Sequence, residues 1–408
     1  MARPRRERDP IGGRRRRKAL GLSLAQALAM MVLACAPARA DFSSCVASLR
    51  SEATSHGVPA AVAAAAFGGL QPDLKVLDFQ KDQPEFKTPV WDYLASLVDD
   101  ERVADGKAKM AENAAALALA EQRYGVSRYV IAAIWGVESD FGRSMGKRPL
   151  VQSLSTLACL GERASYFRGE LMATLKIIAN GDVPADRLNG SWAGAFGQTQ
   201  FMPSTFLRLA VDLDGDGKRD IVDSAADALG STANYLRKSG WRTGLPWGVE
   251  VKLPAGYAGP SGRRDKAPMA TWAARGLTRI DGRPLGEGEA GLLAPAGLNG
   301  PVFLVTSNFE AIYSYNASES YALAIASLSD RLAGGGPFAT PWPTDNPGLS
   351  RAERRELQRL LIAHGYDVGD PDGAVGKKTK DAIADFEAKN GLERDGRPSA
   401  KVLAALRR

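Results

Sequence analysis

One carboxylic acid stands out by its position: Glu138, within Ile131-Ala132-Ala133-Ile134-Trp135-Gly136-Val137-Glu138-Ser139-Asp140-Phe141-Gly142-Arg143. The segment reads as a helix that opens after Ser127 and stops near Gly142, with apolar residues stepping from Ile131 through Ile134 to position 138. Where the buried stripe should carry another Leu or Ile, it carries an acid. Ionising a lone carboxyl on an apolar surface is costly, so its pKa should rise. A rise from about 4.3 toward about 6 costs roughly 2 kcal/mol and keeps a neutral acid at hand near working pH. The plainer alternative is a Glu at a frayed helix end, reaching water or paired with Arg143.

A second segment, Gly190-Ser191-Trp192-Ala193-Gly194-Ala195-Phe196-Gly197-Gln198-Thr199-Gln200-Phe201-Met202-Pro203-Ser204, mixes glycines, neutral polar groups and aromatic faces without a long apolar run. That composition lets a ligand approach the backbone. Ser191, Gln198 and Gln200 offer hydrogen bonds and Trp192 and Phe201 offer flat faces, which suits a sugar chain. A structural Gly-rich turn with core aromatics is the alternative. A third segment places Asp212, Asp214 and Asp216 at alternate positions, Gly217 at the sixth and Lys218 at the seventh, the front half of an EF-hand calcium loop. Its back half departs: position eight is Arg219 and no Glu stands twelfth. Asp223 would close the site, or Asp227 with a longer loop; otherwise the segment is an Asx-Gly turn. A structural Ca2+ beside the cleft is expected, with no cofactor needed for the chemistry. The chain has two histidines, His56 and His364, far apart and in unsuggestive contexts, and no Cys/His cluster for zinc.

The elements that must position these residues are mostly helical. Residues 43–135 carry helical patterns with Ala-rich stretches, and helices continue through 163–180 and 223–239. Residues 245–310 are Gly- and Pro-rich with short β-like pieces at Val249–Leu253 and Val302–Val305, a small β-containing insertion. Helix resumes near Ser320–Leu332. Residues 334–349, with Gly334-Gly335-Gly336-Pro337 and Pro341-Trp342-Pro343, read as a linker. Residues 350–408 then form three short helices: one capped by Ser350 with Leu357, Leu360 and Leu361, one opened by Thr379 with Ile383 and Phe386, and one with Val402, Leu403 and Leu406. So small a unit has a marginal core and no catalytic cluster, which suits a binding module.

At 408 residues, two or three units are expected. The formal charge of +7 hints at nucleic acid, but residues 1–40 hold ten Lys/Arg and two acids. Residues 41–408 carry 43 basic against 44 acidic groups, so no nucleic-acid partner is implied. Residues 1–40 have the three parts of a secretory signal: a basic region to Lys18, an apolar run from Ala19 to Ala34, and Ala38-Arg39-Ala40 before cleavage at Asp41. The run is short for a membrane span. Val32-Leu33-Ala34-Cys35 offers the alternative of a lipoprotein anchored to the outer membrane through Cys35. Either way the protein leaves the cytoplasm, and the periplasm is the expected location. After cleavage Cys45 and Cys159 remain, an even pair in an oxidising compartment. A disulfide between them is favoured over two buried thiols.

Glu138-Ser139-Asp140-Phe141-Gly142-Arg143 followed by Gly190–Ser204 closely resembles the B-type lytic murein transglycosylases. Trp91-Asp92-Tyr93-Leu94, Ala233-Asn234-Tyr235-Leu236, Tyr313-Ser314-Tyr315-Asn316 and Tyr321 extend the resemblance over roughly 43–333. The tail, with Leu357-Gln358, Gly365-Tyr366, Asp372-Gly373, Gly376-Lys377-Lys378-Thr379 and Phe386, is similar to three-helix peptidoglycan-binding modules. The resemblance implies a mainly α, lysozyme-like α+β catalytic domain over 41–333, a Gly/Pro linker over 334–349 and a binding domain over 350–408. It also implies that Glu138 is the only catalytic carboxylate, cutting the bond between N-acetylmuramic acid and N-acetylglucosamine without water to leave a 1,6-anhydro end. Glycosidases usually need two carboxylates; an intramolecular C6 hydroxyl has an effective concentration high enough to replace the second.

Carried over by residue, Ser191 and Gln200 match cleft positions lining the sugar subsites, and Tyr93, Tyr235, Tyr315, Asn316 and Tyr321 match the other walls. Arg163 matches one of a pair of arginines whose neighbour here is Ala164, which puts peptide-stem contacts in doubt. Asp140 stands where an unlike residue is usual and is read as solvated. The implied partners are peptidoglycan glycan strands, with other cell-wall enzymes as further candidates, for a monomer that meets a membrane only through a lipidated Cys35. A hydrolytic muramidase using a second acid, and a non-catalytic wall-binding protein, are the rivals.

Overall fold

The computed structural model describes residues 36–81 and 88–408, so the basic and apolar parts of the N-terminal signal, and Cys35, lie outside the described residues. Helices dominate: α1 (Ala36–Ser55), α2 (Ala60–Phe67), α3 (Lys75–Lys81), α4 (Val90–Leu97), α5 (Asp100–Glu112), α6 (Ala114–Tyr124) and α7 (Arg128–Ser139) precede a short ribbon of β1 (Arg148–Pro149) with β2 (Asn189–Gly190). Between those strands run α8 (Leu150–Leu160) and α9 (Ala164–Asn180), and after them α10 (Pro203–Leu209) and α11 (Ala225–Lys238). Phe42, just past the expected cleavage point, is buried. Among the described residues no helix is long and apolar enough to cross a membrane.

Two helical cores result. One gathers α4, α6, α7 and the later α14 around Ile131, Ile134, Trp135 and Leu323; the other gathers α1, α8, α9 and the glycine-rich segment around Leu154, Leu175, Phe196 and Phe206. Tyr235 and Tyr315 border both, so the seam between the cores is lined with tyrosine. Cys45 on α1 and Cys159 on α8 are joined as a disulfide with their Cα atoms 5.9 Å apart, closing a separation of 114 residues. Constraining so long a loop removes entropy mainly from the unfolded chain.

The insertion is an antiparallel sheet in the order β4 (Gly262–Pro268), β6 (Glu289–Leu293), β7 (Val302–Val305), β3 (Gly248–Lys252), β5 (Thr278–Arg279), with α12 (Met269–Ala274) laid against it. Both β-like pieces of the sequence are central strands, paired Val249↔Leu304 and Glu250↔Phe303. The unbroken apolar run in β7 follows from burial on both faces. Phe303 and Val305 enter the helical core, while Val302 and Leu304 enter a small core built on Trp272. After the sheet come α13 (Ser307–Asn316) and α14 (Glu319–Leu332), which carry three of the aromatic residues singled out above.

Residues 334–349 contain no helix or strand among the described residues, yet they are not a loose tether. Phe338 packs on Phe303 at 4.6 Å between ring centroids, Trp342 lies 6.5 Å from Trp91, and the backbone N–H groups of Ala339 and Thr340 both donate to Glu250 at 2.8 Å. Glycine and proline exclude helix here without excluding packing. The chain ends in α15 (Arg351–Ala363), α16 (Lys377–Lys389) and α17 (Ala400–Leu406) around their own core of Leu357, Leu361, Ile383, Phe386, Val402 and Leu403. Ser350 caps α15 in a reciprocal box with Glu353.

Candidate active site

Helix α7 is more deeply set than an amphipathic stripe. Val130 through Gly136 are buried on every side, and only at Val137 and Glu138 does the helix begin to open. Helices buried all round belong to the middle of a bundle. The helix stops sharply because Asp140 (φ 52°) and Phe141 (φ 59°) both take left-handed backbone, costly for non-glycine residues and concentrated at functional sites. What holds them there is packing. The Phe141 ring is wedged between α5 and α7, and a Cβ on Gly106 or Gly136 would come within 2.8 or 2.6 Å of its Cζ. The ring also meets Trp135 edge-on at 5.6 Å.

This stop leaves Glu138 half-buried on the tyrosine seam. The Tyr321 hydroxyl donates to Glu138 Oε1 at 2.6 Å. Burial pushes the Glu138 carboxyl up to about 7, and the Tyr321 hydrogen bond opposes this only in part. Among the described residues no second carboxylate contributes to that shift. Tyr321 stacks on Tyr315, with centroids 6.3 Å apart and planes 13° from parallel. Tyr315 in turn lies 4.7 Å from Tyr235 and donates its hydroxyl to the Thr199 carbonyl at 2.7 Å. Burial, then the Glu138 charge, pushes both Tyr315 and Tyr321 well above the usual phenol range, so both stay donors. Tyr93 on α4 adds to the same effect at Tyr321.

The glycine-rich segment forms the facing wall. Gln200 takes a left-handed φ of 51° and donates from Nε2 to the carbonyls of Met145 and Gly197 at 3.1 and 2.8 Å. Ser191 Oγ accepts from Ala195 N–H at 3.1 Å, holding the turn, and remains partly exposed. Gln198 serves differently from the sugar contact expected of it. It is buried, accepting from Trp135 Nε1 at 3.0 Å and donating to the Val222 carbonyl at 3.1 Å, while its own carbonyl accepts from Ser139 at 2.5 Å. It locks the catalytic helix to the loop. Phe201 is also core, 5.9 Å from both Tyr235 and Tyr315.

Glu138, Tyr93, Tyr235, Tyr315 and Tyr321 thus come together along one seam, with Gln200 held between Thr199 and Phe201, which both touch Tyr315. Ser191 stays in its own turn, and two further expected residues are exposed. Arg163 lies exposed at the start of α9 with its guanidinium 4.4 Å from the Tyr166 ring, and Asn316 is exposed at the last position of α13, where the chain turns away. Asp140 is only partly exposed and is ion-paired: it receives Arg143 Nε at 2.9 Å and Arg351 at 3.4 Å, with Arg102 3.9 Å away. Gly106, Gly136, Phe141 and Gln198 escaped sequence reasoning as positioning residues. Their signal is the room a ring needs, which spacing does not encode.

In the aspartate loop, carboxylate oxygens of Asp212, Asp214, Asp216 and Asp227 lie within 4.8 Å of one another. Asp227 is buried on α11 and accepts N–H groups from Leu213 and Asp220 at 2.7 and 2.8 Å, so it closes the loop from fifteen residues beyond its start. Asp223 does not belong to the cluster; it is turned outward and paired with Arg187. Lys218 sends its N–H to Asp216 at 2.8 Å and its side chain to solvent. Burial and then the Asp214 charge push the Asp227 carboxyl up against these donors, the crowding that a divalent cation would relieve.

The family described as Transglycosylase SLT domain matches residues 41–330, and a peptidoglycan binding domain matches 350–406. The membrane-bound lytic murein transglycosylase B of Escherichia coli K12 is 35% identical over 269 residues, covering 64% of this chain and 73% of that protein. SltB3 from Pseudomonas aeruginosa, solved in complex with NAG-anhNAM-pentapeptide, is 45% identical over 90% of this chain and 99% of its own, with a TM-score of 0.73. The Escherichia coli lytic transglycosylase Slt35, solved in complex with calcium, is 32% identical over 72% of this chain and 92% of its own, with a TM-score of 0.62. The chain belongs to the SLT-domain lytic transglycosylases and ends in a peptidoglycan-binding domain.

Proposed function

We propose that this enzyme cuts the glycan strands of peptidoglycan without water, with Glu138 as acid and then base. One observation carries the assignment: Glu138 is a half-buried carboxyl on an aromatic seam, pushed up to about 7 by burial, with no second carboxylate among the described residues acting on it. Oε1 accepts from Tyr321, so the proton sits on Oε2 and is presented to the oxygen linking N-acetylmuramic acid to N-acetylglucosamine. Its transfer breaks the C1–O bond. The resulting carboxylate takes the proton of the C6 hydroxyl as that oxygen closes on C1, forming the 1,6-anhydro ring and restoring the acid. Proton transfer of this kind contributes about 10²–10⁴-fold, and the intramolecular hydroxyl supplies proximity. Asp140, bound by arginines, is unsuited to activating water, which disfavours the hydrolytic reading.

Tyr93, Gln200, Ser191, Tyr235 and Tyr315 line the glycan path in this reading. A Ca2+ held by Asp212, Asp214, Asp216 and Asp227, with the Lys218 carbonyl available, fixes the loop beneath α11. Residues 41–333 and 350–408 act as catalytic and wall-binding domains, the second raising local concentration on insoluble glycan. Export through residues 1–40 places the enzyme in the periplasm, where the Cys45–Cys159 disulfide persists. Digestion of purified sacculi by the mature protein tests the reading. Mass spectrometry should find anhydro ends; reducing ends would turn the enzyme into a muramidase.

A further inference from the structure

The C-terminal domain meets the rest of the protein through arginines, and they converge on the catalytic helix. Arg351, the first residue of α15, lies among four carboxylates: Asp99 at 3.5 Å, Glu101 at 3.7 Å, Asp105 at 3.6 Å and Asp140 at 3.4 Å. Its own N–H donates to Asp99 Oδ2 at 3.0 Å, while Asp99 Oδ1 caps α5 by accepting Arg102 N–H at 2.7 Å. One carboxylate therefore joins the N-termini of two helices from different domains. Arg102 carries the linkage inward, because its Nη1 donates to the Gly136 carbonyl in the last turn of α7 at 2.5 Å. Asp140, the residue capping that same turn, is held by Arg351 directly and by Arg143. Arg355 pairs with Glu101, and Arg397 reaches Asp92, beside Tyr93, at 2.6 Å.

Two routes thus run from one arginine to the end of the helix that carries Glu138, and they are linked where Arg102 lies 3.9 Å from Asp140. Both act where the backbone is already forced into left-handed conformation at Asp140 and Phe141. A turn of that kind persists only when its surroundings over-determine it. The network is largely shielded: the side chains of Arg351, Arg102 and Asp99 are 15%, 9% and 5% exposed. Removing a partner from such a cluster leaves charge uncompensated, so the ion pairs hold the helix end in place. A displacement of about 1 Å at a catalytic acid can cost on the order of 100-fold in rate.

We propose that Arg351 is a positioning residue for the catalytic acid, acting through Asp140 and Asp99–Arg102, so that the wall-binding domain forms part of the active-site scaffold as well as a tether. The inference rests on Glu138 being the acid. It predicts an effect on substrates too small to engage the binding domain. The test uses the full-length mature protein and a soluble tetrasaccharide of alternating N-acetylglucosamine and N-acetylmuramic acid, with sacculus binding measured in parallel. Arg351→Gln should lower kcat by about tenfold, with KM and sacculus binding within about twofold of wild type. Asp140→Asn should do the same, and the double variant should be no worse than the poorer single, since the two sit on one route. Arg351→Lys, which keeps the charge, should recover part of the loss and serves if Arg351→Gln does not fold.

Unchanged kcat on the tetrasaccharide in Arg351→Gln, or in Arg351→Lys and Asp140→Asn together where the former is insoluble, overturns the proposal. So does a double variant whose losses multiply. Glu138→Gln run alongside separates the two levels: if it stays active, the acid assignment itself is wrong, whereas an inactive Glu138→Gln beside a fully active Arg351→Gln removes only the positioning role.

Discussion

Two carboxylates two residues apart at the end of α7 have opposite surroundings. Glu138 faces a seam of tyrosines where the nearest polar partner is a neutral hydroxyl, and burial pushes it up to about 7. Asp140 faces Arg102, Arg143 and Arg351 and caps the helix end. Two residues apart at a helix end, they face different partners, Glu138 the Tyr321 hydroxyl and Asp140 the arginines. Acid chemistry at neutral pH needs a carboxyl deprived of positive charge, whereas a stiff scaffold needs carboxylates surrounded by it. The aspartate loop is a third arrangement, acids crowded mainly on each other, and it suits a cation.

The contrast breaks most completely at Glu138→Gln, which removes the proton and should cost roughly a thousandfold in anhydro-product release from sacculi. The same variant should gain stability at alkaline pH. The native pKa of about 7 lies above the unfolded value near 4.5, so wild type loses stability as pH rises through that window. The melting temperatures of the two proteins should coincide near pH 4, draw apart as pH rises from about 4.5 to about 7 and keep a constant gap above that; parallel curves throughout would mean that the carboxyl is not desolvated. The aspartate loop comes next. Ca2+ at a hundredfold excess over its Kd should stabilise wild type by about 2.7 kcal/mol, read as a rise in Tm, and Asp227→Asn should abolish that rise.

Gly136→Ala attacks the seam between the two faces. The new Cβ meets the Phe141 ring at 2.6 Å, and overpacking of this kind costs about 1–3 kcal/mol in denaturant unfolding. Tyr321→Phe should have the smallest effect, about 1 kcal/mol in barrier or roughly fivefold in kcat. Its pH profile carries the sharper reading. Removing a donor to the carboxylate raises the Glu138 pKa further, so the fall of kcat/KM at high pH should move upward; a downward move would mean that the hydroxyl favours the neutral acid.

Glu138 was legible because a carboxyl interrupting an apolar period is visible one residue at a time. The β3 and β7 strands were legible for the same reason, since their composition and length permit little else. The tyrosines entered through resemblance, whereas Gln200 was legible in the composition of its segment and resemblance added its place in the cleft. Arg163 and Asn316 entered the same way and are exposed, Arg163 over the Tyr166 ring and Asn316 at the end of α13, because matching a motif fixes a residue type and not its surroundings. Asp140 was read as solvated, without its ion pairs, since its arginines come from 38 residues before, three after and 211 after it. Asp227 over Asp223 was left open for a similar reason: the choice depends on how α11 lies against the loop.

By itself, the sequence determined what local order can express: the helical and β segments, the out-of-place acid, the front half of a cation loop, the paired cysteines and the near-neutral charge of residues 41–408. Those follow from short-range periodicity and composition. Only the tertiary structure decided which carboxyl is deprived of charge and which is surrounded by it, that Gln198 locks a helix instead of meeting sugar, and that residues 334–349 pack against the body. Each depends on desolvation and on partners distant along the chain, and burial is a property of the assembled fold that no single segment carries.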